Sequence, residues 1–247
     1  MKADPFVQLR LLDLQALDSA LDRLAHKRKT LPELAEIARL DGLLEGVRGQ
    51  IALAEAAVVD LERDLEKAES DIDQVRARKE RDEQRLNSGA ITQPKQLEEL
   101  QHEVATLTQR QSDLEDAELE VMERAEESRA ALDMLVAERT QHQEERGQAV
   151  DAREAAWLEI DAETQRSSHE RAQVATEIPA VLLALYEKIR AAEGGIGAGA
   201  LERGRCGGCH LDLMQNEKAE LRAAPVDEVV RHDSCGRILV RTAESGL

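Results

Sequence analysis

Asn87-Ser88-Gly89-Ala90-Ile91-Thr92-Gln93-Pro94 interrupts a long helical pattern at one point, and the pattern beyond it mirrors the pattern before it. On the N-terminal side apolar residues recur every three then four positions: Leu44, Val47, Ile51, Ala54, Val58, Leu61, Leu65, Ala68, Ile72 and Val75. That spacing is the seam of a coiled coil, because it keeps one apolar stripe facing a partner helix. It restarts at Leu97, Leu100, Val104 and Leu107 and runs on through Leu114, Val121, Ala125, Leu132 and Leu135. Folding the chain about Gly89 and Ala90 pairs residues whose numbers add to about 179, such as Ile72 with Leu107, Val58 with Val121 and Leu44 with Leu135. The second arm is therefore the expected partner of the first. Gly89 can take the left-handed conformation that ends a helix, Pro94 suits the first turn of the next, and Thr92 is its expected N-cap.

Composition fits this extended plan. Only Phe6, Trp157 and Tyr186 are aromatic among 247 residues, too few for the thick core a globular chain of this length would build. Ala, Glu, Arg and Leu at heptad period are the composition of a long coiled coil. A net charge of −18 repels nucleic acid and anionic membranes at long range. Residues 115–170, with 17 acidic and 6 basic side chains, make a poor phosphate-binding surface. Met1 to Gln15 carries Asp4, Arg10 and Asp13 without an uninterrupted apolar run, so no export signal is expected, and no later run could span a bilayer. Three cysteines, an odd number, then point to a reducing cytoplasm and a metal site rather than to disulfides.

Outward from the hairpin, residues 5–29 form an amphipathic helix with Val7, Leu11, Leu14, Leu17, Leu21 and Leu24 on one face. Thr30-Leu31-Pro32-Glu33 reads as a capping box that bends the first arm near Pro32. Gly42, Gly46 and Gly49 each cost on the order of 1 kcal/mol inside a helix, which either close helix approach offsets or local softness explains. Glu138 to Gln148 is polar all round, so the seam weakens there, with His142 expected as a solvent-accessible seam residue and Trp157 as an apolar anchor below. Arg76, Arg78, Lys79, Arg81 and Arg85, with Lys95, gather at the tip. They read either as favourable charge at a helix C-terminus or as a docking end for an acidic protein partner. Beyond Ile178-Pro179, Val181, Leu182, Leu185, Tyr186 and Ile189 form a short apolar helix whose natural partner is the 5–29 helix. The expected organisation is a helical region, 1–193, a flexible Gly-rich linker, 194–199, and a small domain, 200–247.

The small domain carries the chemistry. Cys206-Gly207-Gly208-Cys209 is separated by 22 residues from His232-Asp233-Ser234-Cys235-Gly236. Two x-x-spaced donor pairs on opposed tight turns are the arrangement that holds tetrahedral zinc with thiolate and imidazole ligands. Short β-prone runs flank them at Leu201 to Arg205, Val226 to Arg231 and Arg237 to Arg241, with a helix over Gln215 to Ala223 between. His232 occupies the place of the second pair's first donor; His210, Asp212 and Asp233 are the alternatives for the fourth ligand. Cys206-x-x-Cys209-His210 also matches a c-type haem attachment site, which would need export and would leave Cys235 unexplained. A thioredoxin-like pair would need a βαβ context that is missing. With four protein donors the sphere closes and leaves no position for a substrate water, so no enzyme is expected.

On the Leu-rich opening Leu9 to Leu24, Leu31-Pro32-Glu33, Pro94-Lys95-Gln96-Leu97-Glu98-Glu99-Leu100 and the ending Cys235-Gly236-Arg237-Ile238-Leu239, the chain resembles the bacterial C4-type zinc-ribbon family with an N-terminal coiled-coil hairpin. The resemblance covers nearly the whole chain, and the family's third cysteine corresponds to His232. It implies a mainly α fold, a long antiparallel coiled-coil hairpin with a small C-terminal zinc ribbon. It also implies a non-enzymatic adaptor, some members being linked to an alternative sigma factor, flagellar or secretion components, and some to RNA. The leading expectation is a cytoplasmic scaffold that meets protein partners through the hairpin, with a link to transcription regulation. The runner-up is a DNA- or RNA-binding regulator acting through the ribbon, with Arg203, Arg205, Arg231, Arg237 and Arg241 as phosphate contacts. Against it stand the balance of acids and bases over 200–247 and the absence of an aromatic for base stacking there.

Overall fold

In the computed structural model, which describes residues 1–246, the two arms form antiparallel helices α2 (Pro32–Asn87) and α3 (Pro94–Thr176). The chain divides into two units, a hairpin over Ala35–Ala149 and a second unit joining Met1–Leu34 to the chain from Val150 onward. Within the hairpin every apolar seam residue named above is buried or half-buried, while Leu53 and Met134, off the seam, stand 75% and 74% exposed. Polar residues fill the seam's gaps on α3: Gln111, Glu118 and Ser128 are half-buried there. A two-helix pair has no third layer to cover its flanks, so most seam positions on α3 stay partly wet.

The register differs from the symmetric fold about Gly89 and Ala90. Arg78 reaches Glu103, whose numbers add to 181, but Arg76–Glu115, Lys79–Gln111, Arg129–Glu62 and Arg146–Asp41 add to between 187 and 191. The groove lined by Ala57, Asp60, Leu61, Asp64, Arg124, Glu127 and Ser128 agrees with the higher sums. This is a shift of about one helical turn per arm. The length of the connection accounts for little of it, since the helix ends Asn87 and Pro94 add to 181; the higher sums mean that α3 starts beyond the end of α2, with residues 88–93 bridging the offset. Gly89 does take positive φ, 67°. Thr92 is not the cap, because the Gln93 carbonyl accepts the first helical N–H, from Leu97, and Pro94 at the first helical position fixes the cap one residue before it. Gly42, Gly46 and Gly49 have no atom within 4 Å of where a Cβ would stand, so the close-approach reading fails and they face open space. His142 is less accessible than expected: its side chain is 15% exposed, 3.5 Å from both Glu138 and Glu145.

In the second unit α1 (Pro5–Lys29) starts on Asp4, whose carboxylate accepts the Phe6 N–H at 2.8 Å, with Pro5 inside the first turn. Thr30 closes α1 by donating its hydroxyl to the His26 carbonyl, so the expected capping box on α2 does not form and a Glu33 oxygen is buried without a partner. Trp157 packs beside Leu24, Leu31 and Ile160, with the guanidinium groups of Arg28 and Arg153 over its ring at 4.6 and 4.5 Å. Helix α4 (Ala180–Ala192) lies against α1 as expected, with Leu11, Leu14, Leu182, Tyr186 and Ile189 in one core.

The Gly-rich segment 194–199 is not a free linker. Ala198 already belongs to strand β1 (Ala198–Glu202) and is buried in the helical core. A Cβ on Gly197 would lie 2.7 Å from the Tyr186 ring, so the glycine is required by close approach rather than by flexibility. A four-stranded sheet follows, in the order β2-β1-β4-β3, with β2 over Arg205–Cys206, β3 over Val230–Arg231 and β4 over Ile238–Arg241. The central pair β1 and β4 runs parallel, and each carries an antiparallel partner on its outer side. Side chains alternate across β4: Ile238 and Val240 enter the core of α1, α3 and α4, while Leu239 points with Leu201, Leu213 and Leu221 to the cysteine side. Helix α5 (Gln215–Ala223) forms over the residues expected.

A buried polar group joins these parts. Asp18, 2% exposed, accepts hydrogen bonds from the Tyr186 hydroxyl at 2.7 Å and from Arg171 at 2.6 Å. The oxygen of Gln15 takes the Gly197 N–H at 2.7 Å. Burial first, then the bond to Asp18, raises the Tyr186 pKa well above its ordinary 10. The folded state then holds its proton where the unfolded chain has lost it, so this part of stability is complete below pH 10 and falls as pH rises past it. Denaturant titrations at pH 8 and pH 10.5 should show a loss of stability at the higher pH that is smaller in Tyr186→Phe. The same variant should be weaker by roughly 1–3 kcal/mol at pH 8 from the lost hydrogen bond. An equal alkaline loss in both proteins would refute the assignment.

Candidate metal centre

Two turns bring the four donors together. The first lies between β2 and the chain leading to α5, where the Cys206 carbonyl accepts the His210 N–H at 2.8 Å. The second follows β3, where the His232 carbonyl accepts the Gly236 N–H at 2.7 Å and Gly236 takes positive φ, 68°. The first turn follows β2, which pairs with β1, and the second joins β3 to β4, so the pairing of β1 with β4 brings the two turns together. The ligand atoms of Cys206, Cys209, His232 and Cys235 all lie within 4.8 Å of one another. His232 Nδ1 is 3.3 Å from Cys209 Sγ and 3.1 Å from Cys235 Sγ. Tetrahedral zinc would separate sulfur from nitrogen by about 3.5 Å, so the donor set fits such an ion in number, type and spacing.

The alternatives for the fourth donor fall away. His210 is exposed with positive φ, 62°, Asp212 pairs with Arg205, and the Asp233 side chain is exposed. His232 is fully buried. Burial pushes the Cys206 thiol up to about 11. On Cys209 burial also acts upward, but the donor from Leu211 and the neighbouring Cys235 and Cys206 thiols outweigh it, and Arg237 adds to the lowering.

Glu217 went unnoticed in the sequence. It is 6% exposed, accepts the Met214 N–H at 2.8 Å and the Asp233 N–H at 3.0 Å, and so ties α5 to the second turn. Its signal was its position, three residues after Met214 at the opening of α5, where a glutamate side chain reaches back to free N–H groups.

The arginines assigned to phosphate are mostly engaged inside the ribbon. Arg231 donates to the Gly236 carbonyl, Arg237 to Ile196 and Glu193, and Arg241 to Ala224, Pro225 and Glu228. Arg205 pairs with Asp212, while Arg203 is exposed at the edge of a polar cavity with Glu202 and Glu244. At the hairpin tip Arg76 meets Asp73 and Glu115, Arg78 meets Glu103, and Arg85 meets Asp82. Lys79 donates to Gln111 and Arg81 to the Ala77 carbonyl, and Lys95 lies in the first turn of α3. Three of these six cations, Arg76, Arg78 and Arg85, are thus paired with carboxylates along the hairpin, while Lys79 and Arg81 donate to neutral groups.

Comparison with known proteins agrees with the architecture. Residues 14–194 match the CT398-like coiled coil hairpin domain, and residues 205–239 match the C4-type zinc ribbon domain. An uncharacterized protein of Mycobacterium tuberculosis is 40% identical over 244 residues, 98% of this chain and 98% of its own. One from Mycobacterium leprae is 34% identical over 228 residues, 91% of this chain and 96% of its own. A solved Mycobacterium smegmatis structure superposes with a TM-score of 0.85 at 39% identity, over 98% of this chain and 100% of that one. The structure of CT398 from Chlamydia trachomatis shares the fold at a TM-score of 0.68 and 19% identity, over 96% and 98%. The chain belongs to the CT398-like coiled-coil hairpin family, with a C4-type zinc ribbon in which His232 stands at the position of one cysteine.

Proposed function

We propose that this protein is a non-enzymatic adaptor of the cytoplasm, whose ribbon binds structural zinc and whose hairpin presents helical faces to a protein partner. The observation that carries the hairpin's part is an apolar groove of about 610 Å³ on α3, lined by Ala131, Met134, Leu135, Ala137, Glu138 and Gln141. Met134, one of its lining residues, is 74% exposed, in a stretch where few side chains are buried by the other arm. Exposed apolar surface with polar residues at its rim supports a protein-docking role. Four protein donors around one ion favour a structural over a catalytic role. Unpaired thiols favour a reducing compartment, and among the described residues no helix is long and apolar enough to cross a membrane. The nucleic-acid reading draws less support, since most of its arginines already donate to groups of the ribbon itself.

Purified protein should contain one zinc per chain. Chelation, or Cys206→Ser, should remove it and release the β2 and β3 amides to exchange, because the cysteine-side core of five residues is too small to hold alone. A metal-free protein with fully protected β2 and β3 amides would contradict this. For the hairpin, a photo-crosslinking residue at Met134 should give a discrete adduct with another protein in native cells, and the same group at exposed Glu144 should not. Equal labelling from both positions would remove the groove from the account.

A further inference from the structure

The chemistry of an imidazole ligand differs from that of the thiolate it replaces, and the difference singles out one residue. When His232 offers Nδ1 to a metal, its hydrogen must sit on Nε2, and that nitrogen is buried without a hydrogen-bond partner. A thiolate at this position would bring no such donor. A buried acceptor, Glu217 Oε1, lies 3.9 Å from Nε2. Glu217 is itself buried and held at both ends by the Met214 and Asp233 N–H groups, the second of them the residue next to His232. A small rotation of the ring would bring the pair within hydrogen-bond distance.

We propose that Glu217 is the positioning partner of His232: it accepts the Nε2 hydrogen, fixes Nδ1 as the nitrogen that faces the three sulfurs, and supplies the negative charge lost when a thiolate is replaced. The inference rests on the zinc-ribbon reading above. Three thiolates around a divalent ion leave one net negative charge where four would leave two, and the buried Glu217 carboxylate restores the second just outside the ligand shell. Imidazole ligands are commonly oriented by such a carboxylate, whose loss weakens metal binding about 10- to 100-fold.

Glu217 also holds α5, so a single substitution would mix the two roles; a double-mutant cycle separates them. Full-length wild type, E217Q, H232C and H232C/E217Q are titrated with Co²⁺, then Zn²⁺, against a competing chelator, the Co²⁺ absorption bands reporting the donor set. E217Q should lose about 10-fold or more in affinity in the histidine background, yet within about threefold in the cysteine background, where no imidazole needs an acceptor. Equal losses in both backgrounds would reduce Glu217 to a helix cap and overturn the proposal. Should the cysteine variants fail to fold, long-range ¹⁵N–¹H spectra of the zinc-loaded wild type and E217Q decide: Nδ1 coordination with a protected Nε2–H in the wild type, and loss of that protection in E217Q, support the pair. Nε2 coordination in the wild type overturns it. A wild-type protein that gives no Co²⁺ bands before any substitution would instead refute the metal reading itself.

Discussion

A carboxylate almost wholly removed from water, Asp18, is the constraint on which the second unit, with its helices and ribbon, is built. A buried charge is tolerable only with partners that satisfy it, and here they come from separate parts of the chain: Tyr186 from α4 and Arg171 from α3. Arg171, its pKa raised chiefly by the bond to Asp18, also reaches Glu187. One turn before Asp18 on α1, Gln15 holds the start of β1. The same two turns of helix thus fix the helices to one another and the first ribbon strand to the helices. Apolar packing alone would let α1 and α4 slide by a turn, whereas these bonds admit one register.

The ribbon depends on that arrangement. Its sheet has only a few apolar residues on the metal side, and its other side is completed by the helices through Ile238, Val240 and Ala198. A domain with half a core is held on one face by helices and on the other by the metal ligands. That division of labour explains why the metal centre needs no large core of its own, and why the Gly-rich segment before β1 is packed rather than loose.

The heptad spacing made the hairpin legible, and the two x-x-spaced pairs identified the donors that the structure brings together, His232 included. Both signals are local and periodic, so they survive without tertiary context. The register was not legible, because Gly89 marks where the helix ends but not how far beyond that end the second arm starts. The packing of 194–199 was not legible for a related reason: glycine signals freedom and close approach alike, and only the Tyr186 ring beside Gly197 tells which. Nor could Arg237 or Arg241 be known as internal donors, since an arginine near a turn reads as a surface cation until its carbonyl partners are in place. Glu217 was legible only as a cap at the opening of α5; its approach to His232, 15 residues away, is set by the fold and not by any sequence spacing.

Native-state hydrogen exchange on Asp18→Asn tests the central claim, that helices and ribbon form one cooperative unit through this carboxylate. The amides of β1 and β4 and those of α4 should lose protection together, by roughly 3 kcal/mol, the cost of breaking a buried charge pair. Strand amides that keep their wild-type protection while α4 alone opens would show the ribbon to be an independent domain, and would contradict the account.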